Sequence, residues 1–364
     1  QPRVFGKITA QPRPSLSLTA WLEADILNMD DAGGNITLSP EATYQMRSFE
    51  VVGNFSLTKV LDPKSFFDLK ASFFSGDWTN DPTAGPDAVC HLEIANSYYK
   101  TGSWGSSYRV DPARFQFNAS FSHFAEDFIR GDHDFKFGAE FERSVNKLQF
   151  SYTGPNHTVY WDYYGEPYLA YQYEGYVTDT RYTRLEVFAQ DAWQVAKRLN
   201  INAGLRFSQN WGTVTGVPGV VYNTSRLAPR FGFSFDLLGD RTTVLKAHYG
   251  QFTEAMMTGI YDRMNPASAY SDFVAYSWDG AQWVERDRLV HENLFRMDPE
   301  IKHPYLDQYT VGLEREIFKD ASLSVTYITR DWKNLISFFD QGSEYRTIGY
   351  DVPALGTTLD IYER

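Results

Sequence analysis

The sequence predicts an all-β fold, an antiparallel wall of long strands suited to crossing a bilayer as a transmembrane β-barrel. Three observations carry that prediction. Apolar and polar residues alternate with a period of two, the alternating runs reach about ten residues or more, and tight turns alternate with long connections. The stretch from Leu185 to Trp211 shows the alternation, the length and a tight turn at once. Leu199, Ile201, Ala203, Leu205 and Phe207 fall on one face, while Asn200, Asn202, Arg206 and Ser208 fall on the other. The preceding half opposes Leu185, Val187, Ala189, Trp193 and Val195 to Glu186, Gln190 and Gln194, with Asp191 as the one exception. Only a charged bend at Lys197 and Arg198 separates the halves, so the simplest object is a hairpin.

Five further hairpins repeat the design. Leu16, Leu18, Ala20 and Leu22 follow a turn at Pro12, Arg13 and Pro14. Phe49, Val51, Phe55 and Leu57 turn at Asp62, Pro63 and Lys64, then return through Phe67, Leu69, Ala71 and Phe73. Phe115, Phe117, Ala119 and Phe121 lead past Arg130, Gly131 and Asp132 to Phe135, Phe137, Ala139 and Phe141. Phe231, Phe233 and Phe235 turn at Gly239 and Asp240 into Leu245, Ala247 and Tyr249. Tyr309, Val311 and Leu313 turn at Lys319 and Asp320 into Leu323, Val325 and Tyr327. Six hairpins require at least about twelve strands.

Composition agrees with a barrel. Hydrophobic residues make up 43% of 364 residues and mean hydropathy is −0.42, low for a helical membrane protein. A barrel tolerates such values, because inward polar residues dilute the lipid-facing ones. No apolar run approaches the roughly twenty residues of a membrane helix. The aromatic content of 16% fits interfacial girdles. A net charge of −12 and a pI near 5.1 argue against nucleic acid as a partner, which needs clustered Lys and Arg. The single cysteine, Cys90, permits no internal disulfide and reads as an unreactive thiol.

The connections between hairpins are long, about Asn28 to Met46, Ser75 to Ala113, Ser144 to Tyr182, Trp211 to Arg226 and Phe252 to Leu306. In outer-membrane barrels short turns face the periplasm and long loops face outward. One connection is unusually aromatic: Tyr160, Trp161, Tyr163, Tyr164, Tyr168 and Tyr171 form the candidate ligand-binding set. Such rings stack on a sugar or peptide, pack against a surface lipoprotein or another outer-membrane subunit, or fold the loop on itself.

Several segments then show a family likeness. DPEIKHPYLDQYTVGLEREIFKDASLSVTYITRDWKNLI, from Asp298 to Ile336, resembles a strand-turn-strand segment of TonB-dependent outer-membrane receptors. The likeness is to the Oar-like group, whose members often carry a carboxypeptidase-regulatory-like domain at the N-terminus. GDHDFKFGAEFERS from Gly131, LEVFAQDAWQVAKRLNINAGLRF from Leu185 and LAPRFGFSFDLLGDRTTVLKAHYGQF from Leu227 are similar to the same group. The resemblance implies a barrel of roughly 22 strands around an N-terminal plug, outer-membrane lipid as surroundings and energy coupling through the TonB complex. Neither plug nor TonB box precedes Gln1, and the terminal LDIYER lacks a closing aromatic. The expectation is therefore a partial barrel spanning residues 1–364.

Catalytic signatures are missing: there is no GxGxxG opening a helix, P-loop, GxSxG or HExxH. His91 with Glu93, and Asp132 with His133, fall short of a metal site and read as ordinary polar residues. No catalytic residue, metal or cofactor is expected. If the apolar faces meet lipid, the lumen receives Lys136, Glu140, Glu142, Asn200, Asn202, Arg206, Lys246, His248, Glu314 and Arg330. Their expected work is to bind a plug and hydrate a pathway for a siderophore, glycan or peptide. The competing readings are a passive porin-like or structural barrel and a secreted, soluble glycan-binding β-protein.

Overall fold

A computed structural model describes residues 1–267, 272–290, 293–352 and 356–363. The last residue of LDIYER, Arg364, lies outside them. Four long strands open the chain, β1 (Arg3–Arg13), β2 (Leu16–Ala32), β3 (Tyr44–Asp62) and β4 (Ser65–Pro82). The short β5 (Cys90–Glu93) and β6 (Tyr99–Thr101) leave the wall, which resumes with β7 (Ser106–Ala125) and β8 (Asp132–Tyr152). After another excursion, β9 (Thr158–Tyr163) and β10 (Glu166–Tyr173), come β11 (Tyr176–Ala196), β12 (Leu199–Val214), β13 (Tyr222–Asp236) and β14 (Thr243–Thr253). A third excursion holds β15 (Phe273–Trp278) and β16 (Trp283–Leu289) before β17 (Tyr305–Phe318) and β18 (Ala321–Lys333). A separate hairpin, β19 (Arg346–Val352) and β20 (Thr357–Glu363), follows.

The long strands form one 12-stranded antiparallel sheet in chain order, from β1 to β18, and all six predicted turns join neighbours in it. Among the described residues β1 and β18 are unpaired with each other, so the wall is open. Up-and-down order follows from the short links within the hairpins, of two residues in four of them and six in the other two. Asp62, for example, accepts the Lys64 amide at 2.8 Å and tightens the β3 to β4 bend.

Cross-strand register makes the wall two-faced, since directly opposed residues project to the same side. One row joins Phe67, Phe121, Phe137, Ala189 and Leu205. Leu205 is 51% exposed and Phe231 50%, so this face carries large bare apolar side chains. A water-soluble sandwich would bury them. Asp191, the exception to the alternation, is explained by its neighbour: its carboxylate bonds His133 Nδ1 at 2.7 Å, and that ring stacks on Phe135 and Trp193. The pair shields one polar group on an apolar face with aromatic surface.

The connections differ from expectation in extent. Strands run on past the apolar band, to 21 residues in β8 and β11, and so take up residues assigned to loops. Three of the remaining connections are themselves ordered, pairing into a six-stranded cap sheet in the order β16, β15, β10, β9, β5, β6. Its β5 to β9 pairing is parallel and joins segments about 70 residues apart, which local patterning cannot announce. Cys90 sits in β5 at 1% exposure, and burial pushes its thiol up to about 11, which makes it a poor nucleophile.

The facing is testable on two adjacent residues of β12. Ala203→Arg, on the apolar face, is expected to lose about 2–4 kcal/mol and fail to assemble, whereas Asn202→Arg is tolerated. Outer-membrane fractionation with heat-modifiable gel mobility reads the difference, and equal tolerance would contradict the assignment.

Candidate functional site

The second face of the wall is polar, and register brings all ten residues expected there to it. Lys136 lies in a row running through Gln190, Gly204, Arg230, Gly250 and Gln308 to Arg330. Asn200 stands opposite Ser234, which stands opposite Lys246, and Asn202 is opposite Gly232, which is opposite His248. Lys246 meets Glu314 at 2.6 Å, and Arg330 donates to Gln308 at 2.8 Å.

Glu140, Glu142 and Arg206 join the most connected part. Arg206 bonds Glu186 at 2.6 Å and reaches across β11 to both oxygens of Glu140 at 3.2 Å. Its guanidinium lies 5.0 Å from the centre of the Phe188 ring. Ala228, opposite Arg206 and fully buried, leaves room for it. Ser208 donates to Glu186 at 2.6 Å. Glu142, buried, accepts from Arg184 and Gln116 at 2.9 Å each and from Ser144 at 3.2 Å. Each buried carboxylate is thus paired and hydrogen-bonded, the condition under which burying charge is tolerable. Breaking one such pair by truncating a partner costs about 3–5 kcal/mol, because a bare charge is left behind. Sequence patterning places Glu186 and Ser208 on this face but does not reveal that they anchor Arg206, which depends on reach across strands.

Above this network two described parts of the connection after β14, residues 254–264 and 297–304, fold down onto the same face. Tyr261 is fully buried and donates to the Arg181 carbonyl at 2.9 Å. It packs with Tyr182, Val214, Tyr222 and Met256. Gly212 permits this approach: a Cβ there would lie 2.4 Å from the Tyr222 ring and 2.8 Å from Tyr261. Beside them, Tyr182 donates to Asn210 at 2.5 Å, and the Asn210 amide nitrogen sits 3.1 Å from His303 Nδ1. Thr224 Oγ1 lies 3.0 Å from the same ring nitrogen. A ring nitrogen facing these donors is unprotonated. Burial, set against the nearby Glu186 and reinforced by Arg226 and Arg184, pushes His303 down to about 4.

The aromatic set divides into three groups. Neighbouring strand residues face opposite ways, so Tyr160 and Trp161 part company. Tyr160 stacks on His91 at 5.2 Å and meets Trp283 at 5.4 Å, which in turn meets Trp278 at 5.2 Å. His91 is fixed by Asp162 at 2.7 Å. Trp161 and Tyr171 pack together at 4.9 Å on the opposite face, with Tyr98 and Phe273. Tyr163, Tyr164 and Tyr168 cluster at the β9 to β10 tip, with Tyr164 78% exposed. Glu93 accepts the Gly165 amide at 2.8 Å and the Ala95 and Tyr164 amides at 3.0 Å each, and these bonds hold its carboxyl below the usual range. His91, Trp278 and Trp283 were not expected in any site; only the cap-sheet pairing brings them to Tyr160.

The lowered His303 value fixes a pH dependence for the docked connection. Free of the fold, the imidazole takes up a proton near its ordinary 6.5, while the docked ring stays neutral down to about 4. Its contribution is therefore complete above about pH 6.5 and is lost as pH falls from there towards 4. Hydrogen exchange, corrected for intrinsic rates, is expected to show peptides covering 254–264 and 297–304 opening on acidification, and His303→Asn should remove most of that change. An equal response in the variant would contradict the assignment.

The chain matches the family described as TonB dependent receptor-like, beta-barrel over residues 16–357. No curated protein matches. Among solved structures it is similar to the outer membrane transporter YddB from Escherichia coli, at 14% identity and a TM-score of 0.62, covering 98% of this chain and 42% of that one. It is also similar to the alcaligin outer membrane receptor FauA from Bordetella pertussis, at 13% identity and a TM-score of 0.53, covering 99% and 47%. The pyoverdine-bound FpvA of P. aeruginosa gives 12% identity and a TM-score of 0.55, covering 99% and 45%. The chain thus spans less than half the length of these three proteins. The match over residues 16–357, on a two-faced antiparallel wall, places this chain in the TonB-dependent receptor family as an outer-membrane β-barrel.

Proposed function

We propose that this chain is part of the barrel wall of a TonB-coupled uptake receptor, with the polar face turned to a plugged lumen and the cap sheet at the extracellular mouth. The observation that carries the reading is the charged network on one face, with Arg206 held between Glu140 and Glu186, opposite a face of bare apolar side chains. Lipid cannot solvate the first face, and water does not favour the second. A plug lodged against Lys136, Asn200, Asn202, Lys246, His248, Glu314 and Arg330 would find donors and acceptors along the whole wall. In this reading the exposed tip rings Tyr163, Tyr164 and Tyr168 make first contact with a siderophore, glycan or peptide, and the TonB complex supplies the energy for passage. A surface lipoprotein or another outer-membrane subunit would meet the same cap.

The test compares cells carrying the receptor with cells lacking it, following depletion of small molecules from the medium by mass spectrometry. A receptor-dependent ligand is expected to be consumed only when TonB is intact. Tyr163→Ala, Tyr164→Ala and Tyr168→Ala together should lower its uptake by about tenfold or more while the barrel still assembles, consistent with loss of a few stacking contacts. Uptake that persists without TonB would contradict the proposal and favour a passive pore.

A further inference from the structure

Across five strands the upper part of the polar face carries no cation. Opposed residues of β3, β4, β7, β8 and β11 share parity, so this face takes their even-numbered residues. Beyond the level of Arg114, residues 44–50, 74–82, 106–112, 144–152 and 176–182 place no Lys or Arg on it. Arg47, Arg109, Lys147 and Arg181 all have odd numbers and project the other way. Register instead puts Glu50 opposite Gly76, Ser48 opposite Trp78 and Val110, and Asn80 opposite Tyr108.

This patch stands clear of the hydrocarbon. From Trp193 near the turns to Thr180 is thirteen steps of β11, which at about 3.3 Å each and a tilt of about 40° rise roughly 33 Å, more than the roughly 25 Å of an apolar band. Asn146, opposite Thr180, and Pro112, opposite Asn146, continue that level towards Glu50. Its rings therefore face the barrel mouth and not lipid.

A cavity of about 260 Å³ lies here between β3, β4 and β7. Its lining includes the acids Glu50 and Asp77, the rings of Trp78 and Tyr108, and Asn80, and no base. Gly76 leaves space beside the acid, since a Cβ there would come within 3.3 Å of Glu50 Cγ. Among the described residues Glu50 forms no ion pair, and its one hydrogen bond is a long one of 3.4 Å from Ser48. Asp25, opposite Glu50 on β2, already holds Arg3 at 2.7 Å. Trp78 is 40% exposed, and its indole N–H is fixed on Asn80 Oδ1 at 2.9 Å. Burial and the Asp262 carboxylate of the docked connection together push the Tyr108 phenol up, so it stays neutral.

A half-buried carboxylate without a counter-ion, beside an indole and a phenol, suits an organic cation. An anionic chelate would meet like charge there. The volume falls below the roughly 300–1,000 Å³ of a site for a whole small molecule, so it fits one side chain of a longer ligand. We propose that this pocket takes the guanidinium or ammonium group of a basic peptide, which names the ligand class of the uptake reading above and rests on that reading. Glu50 pairs with the cation, Trp78 and Tyr108 cover its faces, and the Asn80 amide is left to hydrogen-bond the peptide backbone.

The experiment uses the full receptor purified from outer membranes in nonionic detergent. Calorimetric titrations compare acetyl-Gly-Arg-Gly-amide, the same peptide with neutral citrulline in place of arginine, and maltotriose. The arginine peptide is expected to bind about tenfold or more tighter than the citrulline peptide, and maltotriose is not expected to displace it. Glu50→Gln should bring the two peptides within about twofold of each other, whereas Trp78→Ala should weaken the arginine peptide about fivefold and Trp78→Phe restore most of it. Asp320→Asn, an equal loss of charge at a distant turn, should leave the preference intact. Equal binding of the two peptides, a preference that survives Glu50→Gln or falls equally in Asp320→Asn, or displacement by maltotriose would overturn the proposal. Should Glu50→Gln fail to assemble, the preference of the unaltered receptor still decides. A receptor that binds neither peptide, yet consumes a ligand only when TonB is intact, would overturn this proposal and leave the uptake reading standing.

Discussion

A strand crossing hydrocarbon has no water for its amides, so each N–H and C=O must pair with a neighbouring strand. That requirement dictates much of this molecule. It forces long strands, up-and-down order and a register in which every residue of a row shares a side. Once the backbone is committed to pairing, side chains can only alternate, and the two-residue period sorts them into a face for lipid and a face for polar partners. The network around Arg206 and the bare row through Phe137 and Leu205 are two sides of the same constraint.

Because this constraint acts residue by residue, much of the fold was legible in the sequence. Each of the six hairpins was signalled by alternation flanking a Pro, Gly, Asp or basic turn. The ten polar-face residues followed from parity alone. Asp191 broke the pattern for a reason that sequence could not supply: its partner His133 lies 58 residues away, on β8.

What was not legible depends on contacts between distant segments. The cap sheet draws its strands from three connections, so no hydrophobic period in any of them foretold it. The Tyr-rich stretch was recognisable as more than a linker, yet its rings fall on both faces and at the tip of a hairpin. His91 and Trp283 join Tyr160 only through that tertiary pairing. The same holds for His303, whose place beside Asn210 and Thr224 follows from the folding of a connection against the wall. Within the wall, sequence fixes direction but not reach: the long Arg206 side chain finding Glu140 past β11 is a matter of geometry.

The central claim is that one face of the wall meets lipid and the other does not. It is tested most directly by placing nitroxide labels singly at residues 200–207 of β12, in a Cys90→Ser background, and measuring collision rates with oxygen and with a water-soluble nickel complex in reconstituted bilayers. The account predicts a two-residue oscillation: oxygen accessibility peaks at Ile201, Ala203, Leu205 and Phe207, and nickel accessibility is higher at Asn200, Asn202 and Arg206. Profiles without that oscillation, or with its phase reversed, would contradict it.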